Sequence, residues 1–256
     1  MVRIEIDGTD PSAEQLAAAA LDDYGHFTSM QVRSRRVRGL ALHLARLNAA
    51  HTEMFGQALD DDLVVRHIRH AMAAEDVADA TVRVLARHLD DRPSIMITIR
   101  PPGGMPGSPW RLRSVPYRRP GAHLKHLGDF GQAYYQRQVK ADGFDEALLT
   151  GPDGEVCEGS VTNIGFFDGS MITWPDAPVL AGITMQLLQQ RLGDFGLQYR
   201  YAPVRLPDVA SFNGVFVTNA RGIAPVAAID EGTLPVNVGL MARLDKAYDS
   251  VAWDRI

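Results

Sequence analysis

Residues 146–175, EALLTGPDGEVCEGSVTNIGFFDGSMITWP, contain three or four short apolar runs separated by turn sequences. The turns at GPDGE and FDGS have a physical basis, because proline fixes φ and glycine readily adopts a positive φ. Short apolar runs bounded by such turns are typical of β-strands. This stretch therefore predicts a strand-rich C-terminal part.

The residues before this stretch mix strand and helix patterns. Residues 25–39, GHFTSMQVRSRRVRG, alternate around a polar turn and predict a β-hairpin. Apolar residues at helical spacing predict a helix over residues 40–55. An Asp-rich start indicates a second helix over residues 60–74. The N-terminal part is therefore expected to be mixed α and β.

A change of composition separates the two parts. The segment PPGGMPGSPW, residues 101–110, is rich in proline and glycine, lacks periodicity and is the best candidate for a linker. After the last strands, residues 238–253 have the spacing of a final helix. The sequence thus predicts an α+β protein of two domains, with a boundary near residues 101–121.

Bulk composition is that of an ordinary soluble protein. The 256 residues carry a net charge of −5, which gives no general attraction to nucleic acid or to anionic membranes. No apolar run approaches the ~20 residues that a spanning helix needs. The start, MVRIEIDGTD, has no apolar signal-peptide core. We expect a cytoplasmic protein with neither nucleic acid nor membrane as a partner.

Residue counts and spacings disfavour two kinds of site. The single cysteine, Cys157, excludes an internal disulfide and a zinc site with several cysteines. Two histidine pairs, at 67/70 and 123/126, have a spacing that could share a metal, but no third ligand motif accompanies either pair. Ser160 lies in no GxSxG elbow. We therefore expect no metal site and no serine nucleophile.

Residues 122–129, AHLKHLGD, contain one of only three lysines, the others being Lys140 and Lys246. Lysine plus arginine total 26, so 26 − 3 = 23 basic residues are arginine. Lys125 is either a surface lysine or a nucleophile that attacks a carbonyl and forms a Schiff base. Arginine cannot replace it in the second role, because the guanidinium stays protonated.

A Schiff-base lysine suggests pyridoxal phosphate, which also needs an acid for its pyridine nitrogen and a pocket for its phosphate. Glu158 interrupts an apolar stretch and is either that acid or an ordinary edge-strand residue. Ile183 and Thr184 follow Gly182 where a helix begins, which suits an anion. Thr184 could equally be a plain N-cap.

Several motifs taken together resemble the class IV aminotransferases, the fold-type IV pyridoxal-phosphate enzymes. They are HLARL (43–47), LKH (124–126), DEALL (145–149), DGEVCEGSVTNIGFF (153–167), AGIT (181–184) and VFVTN…IAPV (215–226). The resemblance covers most of the chain and is strongest from about residue 123 to residue 230. It implies a smaller N-terminal α+β domain (1–113), an interdomain linker (114–121) and a larger cofactor-binding domain (122–256) with a mostly antiparallel, barrel-like sheet.

The resemblance also implies roles for matching residues. Lys125 would hold the cofactor covalently and move the proton at the substrate Cα. Glu158 would pair with the pyridine nitrogen. The remaining cofactor-binding positions would contact the phosphate, and they are Arg46, Ile183, Thr184, Thr218 and Asn219. Members of the family are usually homodimers.

The chain departs from its relatives at positions that concern the substrate. Met185 stands where the family often has arginine, and Phe130 stands where branched-chain enzymes have a tyrosine. Phe27 occupies the position of an early tyrosine in D-amino acid enzymes, and residues 101–110 carry no cation. A standard D-amino acid carboxylate trap is therefore not expected.

We thus expect a transaminase that moves an amino group between an amine or amino acid and a keto acid or ketone. Two alternatives stay open. One is a lyase that eliminates pyruvate from 4-amino-4-deoxychorismate, since HFTSMQV and LKHL are a little like that enzyme. The other is a relative that binds the cofactor without turnover. This alternative rests on Met185 and Phe130, which differ from the residues usual in the family.

Overall fold

A computed structural model describes residues 2–89 and 91–256. The chain divides into two compact units. Unit 1 comprises Met1–Gly103, Leu124–Gly128 and Ala252–Ile256, and unit 2 comprises Gly104–His123 and Asp129–Val251. The domain boundaries expected from the sequence, at residues 113 and 121, remain a prediction that this division does not test.

The protein is a mixed α+β structure, as predicted. The strands, in chain order, are β1 (Arg3–Ile6), β2 (His26–Arg33), β3 (Arg36–Arg38), β4 (Ala80–Leu89), β5 (Arg92–Arg100), β6 (Trp110–Pro116), β7 (Glu146–Thr150), β8 (Val156–Gly159), β9 (Asn163–Phe167), β10 (Met171–Pro175), β11 (Gln198–Ala202), β12 (Gly214–Asn219), β13 (Gly222–Ile229), β14 (Gly232–Thr233) and β15 (Trp253–Arg255). The α-helices are α1 (Ala13–Leu21), α2 (Leu40–Phe55), α3 (Asp61–Ala74), α4 (Phe130–Ala141), α5 (Ile183–Arg191) and α6 (Val238–Asp249).

Unit 1 is built on an antiparallel sheet in the order β1-β5-β4-β2-β3-β15. Residues along β2 are alternately buried and half-buried, so one face of the strand enters the core and the other does not. Met30 on the buried face belongs to the same apolar cluster as Leu47 of α2 and Ile68 of α3. The opposite face of β2 carries Phe27, which is important for the site described below.

Unit 2 contains a mixed sheet in the order β11-β10-β9-β12-β13-β6-β7-β8. Every residue of β7, β8 and β9 is buried, which explains why these strands are mostly apolar and why their few polar side chains, such as Glu146 and Glu158, are hydrogen-bonded. Along β12, Val215 and Val217 enter one core cluster, whereas Phe216 enters the other, together with side chains of α5 and α6. The strands predicted within residues 146–175 are confirmed as β7 to β10.

The C-terminal helix predicted over residues 238–253 is shorter than expected. It ends at Asp249, and Trp253 lies instead in β15, which pairs with β3 of unit 1. The guanidinium of Arg38 also covers the Trp253 ring at 4.5 Å, which stabilises the strand rather than another helical turn. Within residues 2–89 and 91–256, none of the helices is both long enough and apolar enough to cross a membrane.

Candidate active site

Lys125 lies in a short segment, Leu124–Gly128, that is held against the start of β2. The Phe27 amide donates to the Lys125 carbonyl at 2.8 Å, and the Leu127 amide donates to the Gly25 carbonyl at 2.9 Å. The segment therefore behaves as a short additional strand on unit 1. Its backbone is fixed, while the Lys125 side chain remains half-buried.

An aromatic ring lies beneath the Lys125 amine. Nζ of Lys125 is 4.7 Å from the centroid of the Phe27 ring. Cζ of Arg83 is 3.7 Å from the centroid of the same ring. A cation over an aromatic face is attracted by the quadrupole of the ring. Phe27 thus helps to hold two basic side chains together without neutralising either of them.

Arg46, the other predicted site residue of unit 1, contacts the opposite face of β2. Its Nη2 donates to the Thr28 hydroxyl, which is also 2.7 Å from Nδ1 of His43. Among the described residues, Nε of Arg46 is buried without a hydrogen-bond partner. Burial lowers the pKa of the Arg46 guanidinium to about 10, so the group still carries its charge at neutral pH.

Glu158, the predicted acid of unit 2, is buried and accepts a hydrogen bond on each carboxylate oxygen. Its Oε1 accepts from Nε of Arg119 at 3.0 Å, and its Oε2 accepts from the Leu180 amide at 3.0 Å. The side chains of both ions are nearly inaccessible, with 5% of Arg119 and 6% of Glu158 exposed. The carboxylate is therefore a fixed buried charge rather than a solvated edge-strand group.

Sequence reasoning missed Arg119. It lies 39 residues before Glu158, and its guanidinium also donates to the nearby Ala122 carbonyl. The only local signal was a pair of arginines before Pro120, which does not indicate a partner so far away.

The start of α5 is open to an anion. Gly182 is the N-cap residue, and no side chain of residues 2–89 or 91–256 caps this helix end. A Cβ at Gly182 would lie 1.9 Å from Oδ1 of Asn163, so only glycine fits there. Asn163 in turn donates to the Leu180 carbonyl at 2.7 Å. Leu180, two residues before the helix start, is thereby held through its amide by Glu158 and through its carbonyl by Asn163.

Thr184 is not the N-cap, so that alternative was wrong. Its hydroxyl donates to the Asn219 carbonyl at 2.7 Å and ties α5 to the end of β12. Thr218 lies directly before that carbonyl and is fully buried. Its Oγ1 has no hydrogen-bond partner among the described residues, which is unfavourable unless a ligand supplies one.

Met185 and Phe130, two residues that differ from those of related sequences, differ in their exposure to solvent. Met185 is buried in an apolar cluster with Leu188 and Leu192, which explains why no arginine stands there. Phe130 is 80% exposed, and its ring lies 5.9 Å from that of Tyr134 at an angle of 22°. Met185 therefore supports packing, whereas Phe130 faces outward in the isolated chain.

Glu146 is a second buried carboxyl that sequence reasoning did not single out. It accepts from the Val161 amide at 2.6 Å, from Thr162 Oγ1 at 2.8 Å and from Ser160 Oγ at 3.2 Å. Burial raises its pKa to about 7 in spite of these three donors, and the charge of Glu158 adds to the rise. Glu146 thus anchors the residues that follow Glu158.

The structure places the predicted site residues in two groups. Arg46 and Lys125 belong to unit 1, where both lower the pKa of the buried His43. The residues of unit 2 are Glu158, Ile183, Thr184, Thr218 and Asn219. In the described part of the chain, no group of three or more His, Cys, Asp or Glu side chains could hold a metal. Unit 1 contains an amine and a guanidinium. Unit 2 contains a carboxylate, and, among the described residues, a helix start without a side-chain cap and a hydroxyl without a partner.

Replacing Glu146 by Gln should change how stability depends on pH. The folded protein holds the Glu146 proton with a pKa of about 7, against an ordinary value of 4.5. Unfolding therefore releases a proton between these pH values, and this group makes the wild type less stable as pH rises from 4.5 to about 7. The melting temperature of the Glu146→Gln variant, relative to that of the wild type, should therefore be higher at pH 8 than at pH 5.

Glu231→Gln is the matched control, because 86% of the Glu231 side chain is exposed. The difference in melting temperature between this variant and the wild type should be nearly the same at both pH values. An unchanged difference for Glu146→Gln as well would contradict the assignment of a tightly held proton to Glu146.

Comparison with known proteins shows that the similarity of this chain to class IV aminotransferases extends over most of its length. The family model for class IV amino-transferases matches residues 25–229. A probable branched-chain-amino-acid aminotransferase of Rickettsia felis is 31% identical over 148 residues, which is 56% of this chain and 50% of that protein. The chain matches between about a third and a half of the length of the curated relatives.

Solved structures show the same fold. A hypothetical aminotransferase from Mycobacterium tuberculosis, in a PLP-bound form, has a TM-score of 0.84 at 18% identity, covering 98% of both chains. A branched-chain aminotransferase from Thermoproteus uzoniensis with norvaline also has a TM-score of 0.84, at 20% identity, covering 95% of this chain and 92% of that one. Because the family model matches four fifths of the sequence, this chain belongs to the class IV aminotransferase family.

Proposed function

We propose that this chain is a pyridoxal-phosphate-dependent transaminase. The observation that carries the proposal is the family match over residues 25–229, which includes the Lys125 segment, Glu158, the start of α5 and Thr218. Each of these features has the chemistry that the cofactor needs. The expected substrates are an amino acid donor and a keto acid acceptor, as the name of the Rickettsia felis relative also suggests.

The residues of unit 2 fit the ring nitrogen and the phosphate of this cofactor. The helix start at Gly182 has no side-chain cap, and the buried Thr218 hydroxyl has no partner among the described residues. Both features favour an anion with several acceptor oxygens. We assign Ile183, Thr184, Thr218 and Asn219 to the phosphate, together with Arg46 of unit 1, whose Nε also has no partner among the described residues.

Glu158 is assigned to the ring nitrogen. One carboxylate oxygen accepts from Arg119 and the other accepts from the Leu180 amide. The ion pair with Arg119 keeps the carboxylate in a fixed orientation. Held in this way, Glu158 favours a protonated nitrogen and acts through charge rather than through proton transfer.

Lys125 is assigned to the covalent link and to proton transfer. When bound, pyridoxal phosphate supplies a ring that draws electrons from the substrate Cα. Lys125 provides the primary amine that attaches the cofactor, and once free it removes and returns the proton at that carbon. The backbone hydrogen bond from Phe27 and the contact of the Lys125 amine with the Phe27 ring set the starting position of this amine.

Replacing Lys125 by Ala should abolish covalent attachment and lower amino transfer by ~10³-fold, since a positioned acid–base group contributes ~10²–10⁴-fold. The wild type should take up pyridoxal phosphate with a visible absorption band, and borohydride should fix the cofactor to Lys125, as peptide mapping can establish. Lys140→Ala is the matched control, because Lys140 is exposed on α4 and should be dispensable.

Other outcomes separate the alternatives. No uptake of cofactor, or attachment to a different lysine, would refute the assignment. Release of pyruvate from 4-amino-4-deoxychorismate without any amino acceptor would identify a lyase instead. A bound cofactor that responds to no amine or amino acid would indicate a relative without turnover.

Replacing Thr218 by Val should weaken binding of pyridoxal phosphate by about tenfold, the usual value of a hydrogen bond to a charged group. Binding of pyridoxal, which lacks the phosphate, should change little. The unliganded variant should be as stable as the wild type, because the lost hydroxyl has no partner among the described residues. Titration calorimetry and thermal melting measure these two effects separately.

Thr150→Val serves as the control for Thr218→Val. Thr150 is also buried, but its hydroxyl donates to the Val115 carbonyl at 3.1 Å. This variant should lose stability and keep its preference for the phosphorylated cofactor. If Thr218→Val weakened pyridoxal and pyridoxal phosphate equally, Thr218 would not belong to a phosphate site.

We also propose a homodimer, as is usual in the family. The support is an exposed apolar patch on unit 2 formed by Phe130 (80% exposed), Val161 (59%) and Tyr134 (46%). Gln132 donates to the Ser160 carbonyl at 3.0 Å, which brings the start of α4 next to Val161. Phe130 and Tyr134 are four residues apart on α4 and their rings stack, so these two side chains form one exposed apolar surface.

Phe130→Glu should convert the dimer to a monomer, because a charge would be buried in an apolar contact. Light scattering coupled to gel filtration measures the change in mass. Leu21→Glu is the control, since Leu21 is 89% exposed but lies on α1 of unit 1. A wild-type protein that runs as a monomer would refute this part of the proposal.

A further inference from the structure

Three side chains of unit 1 form a buried hydrogen-bonded chain beside β2. The hydroxyl of Thr28 lies between Nη2 of Arg46 and Nδ1 of His43, the second contact measuring 2.7 Å. Thr28 is fully buried and His43 nearly so, with 3% exposed. His43 and Arg46 are three residues apart on α2, so both side chains lie on the same face of the helix.

The chemistry of the donors sets the protonation of this chain. A guanidinium can only donate, so Thr28 Oγ1 accepts from Arg46. Within the described residues, Nδ1 of His43 is then the one acceptor within reach of the buried Thr28 proton. His43 must therefore be unprotonated at Nδ1 and carry its proton on Nε2.

The surroundings of His43 favour the same state. Burial lowers the pKa of the imidazole well below its ordinary value, and the charges of Arg46 and Lys125 lower it further. A neutral His43 can accept from Thr28, whereas a charged one would offer a second donor and break the chain of hydrogen bonds. Histidine is thus used here as an uncharged acceptor between two cations.

The hydrogen-bonded chain restricts Arg46. An arginine side chain is flexible, and fixing it in one conformation costs conformational entropy. Anchoring Nη2 on Thr28 removes much of that freedom before any ligand arrives, while Nε stays without a partner among the described residues. The guanidinium is thereby held with donor capacity to spare.

We propose that His43 is a positioning residue, which acts through Thr28 to hold Arg46 ready for the phosphate of the cofactor. This inference rests on the proposed function, because it assigns Arg46 to a phosphate. It predicts that His43 affects recognition of the phosphate without touching it.

The test compares the affinity of cofactor-free protein for pyridoxal phosphate with its affinity for pyridoxal. His43→Leu keeps an apolar filling but removes the acceptor, and it should weaken pyridoxal phosphate about tenfold and pyridoxal less than about twofold. His43→Asn places an amide oxygen near the position of Nδ1 and should restore most of the preference. Thr28→Val should reproduce His43→Leu, and the double variant should be no worse than either single variant.

One spectroscopic measurement and one control variant complete the test. In ¹⁵N spectra of histidine-labelled protein without cofactor, Nδ1 of His43 should have the shift of an unprotonated nitrogen at neutral pH. His51→Leu is the matched control, because His51 is equally buried on α2 and contacts His26 at 3.1 Å, away from Arg46. That variant should lose stability with no change in the ratio of the two affinities.

The outcomes that would overturn the inference are distinct from failure of the proposed function. A protonated Nδ1, an unchanged affinity ratio in His43→Leu, or additive effects of His43→Leu and Thr28→Val would each overturn the positioning role alone. If His43→Leu does not fold, Thr28→Val provides the same comparison. A wild type that takes up no pyridoxal phosphate would overturn the proposed function and this inference together.

Discussion

The buried ion pair between Glu158 and Arg119 is the interaction on which the organisation of unit 2 depends. A carboxylate removed from water is costly unless it is paired and hydrogen-bonded, and Glu158 satisfies both conditions through Arg119 and the Leu180 amide. The second of these bonds reaches the segment that leads into α5. The position of the acid and the position of the free helix start are therefore set by the same carboxylate.

The neighbours of Glu158 extend this control along the chain. Asn163 donates to the carbonyl of Leu180, and Glu158 accepts from the amide of Leu180. Leu180 is therefore fixed at both of its backbone polar groups. Glu146 holds the residues after Glu158 through three donors, although its own carboxyl is nearly as easily protonated as ionised at neutral pH. Two buried acids thus have different tasks: Glu158 keeps a counter-charge, whereas Glu146, which has no cationic partner in the described part of the chain, holds the backbone.

The sequence predicted most elements of the fold, because their signals are local. Turn residues marked the strands from Glu146 to Pro175, and apolar spacing marked α2. What it missed depends on pairing between distant residues. Arg119 meets Glu158 across 39 positions, and Trp253 leaves the helical pattern because β3 offers it a partner strand. A local pattern records neither partner.

The same reasoning applies to the individual residues of the site. Motif order pointed to Lys125 and Glu158, whose chemistry few other residues could replace. The role of Thr184 was ambiguous because N-capping and tethering use the same hydroxyl, and only the carbonyl of Asn219 decides between them. His43 was read as part of a motif, and its function as an acceptor follows only once Thr28 is placed beside it.

The preference for arginine over lysine in this chain has a physical consequence around Lys125. Arg46 and Arg83 are fixed cations that cannot act as nucleophiles, so the surroundings of the amine can be basic without offering a competing amine. Basic surroundings would normally drive cations apart. Here an aromatic ring and a neutral histidine lie among them, the ring of Phe27 under Lys125 and Arg83, and His43 near Arg46 and Lys125. Neither group adds charge. The Phe27 ring contacts Lys125 and Arg83 directly, whereas His43 acts on Arg46 through the hydroxyl of Thr28. Unit 1 can therefore place arginine side chains near Lys125 through contacts that leave the charge of each cation in place.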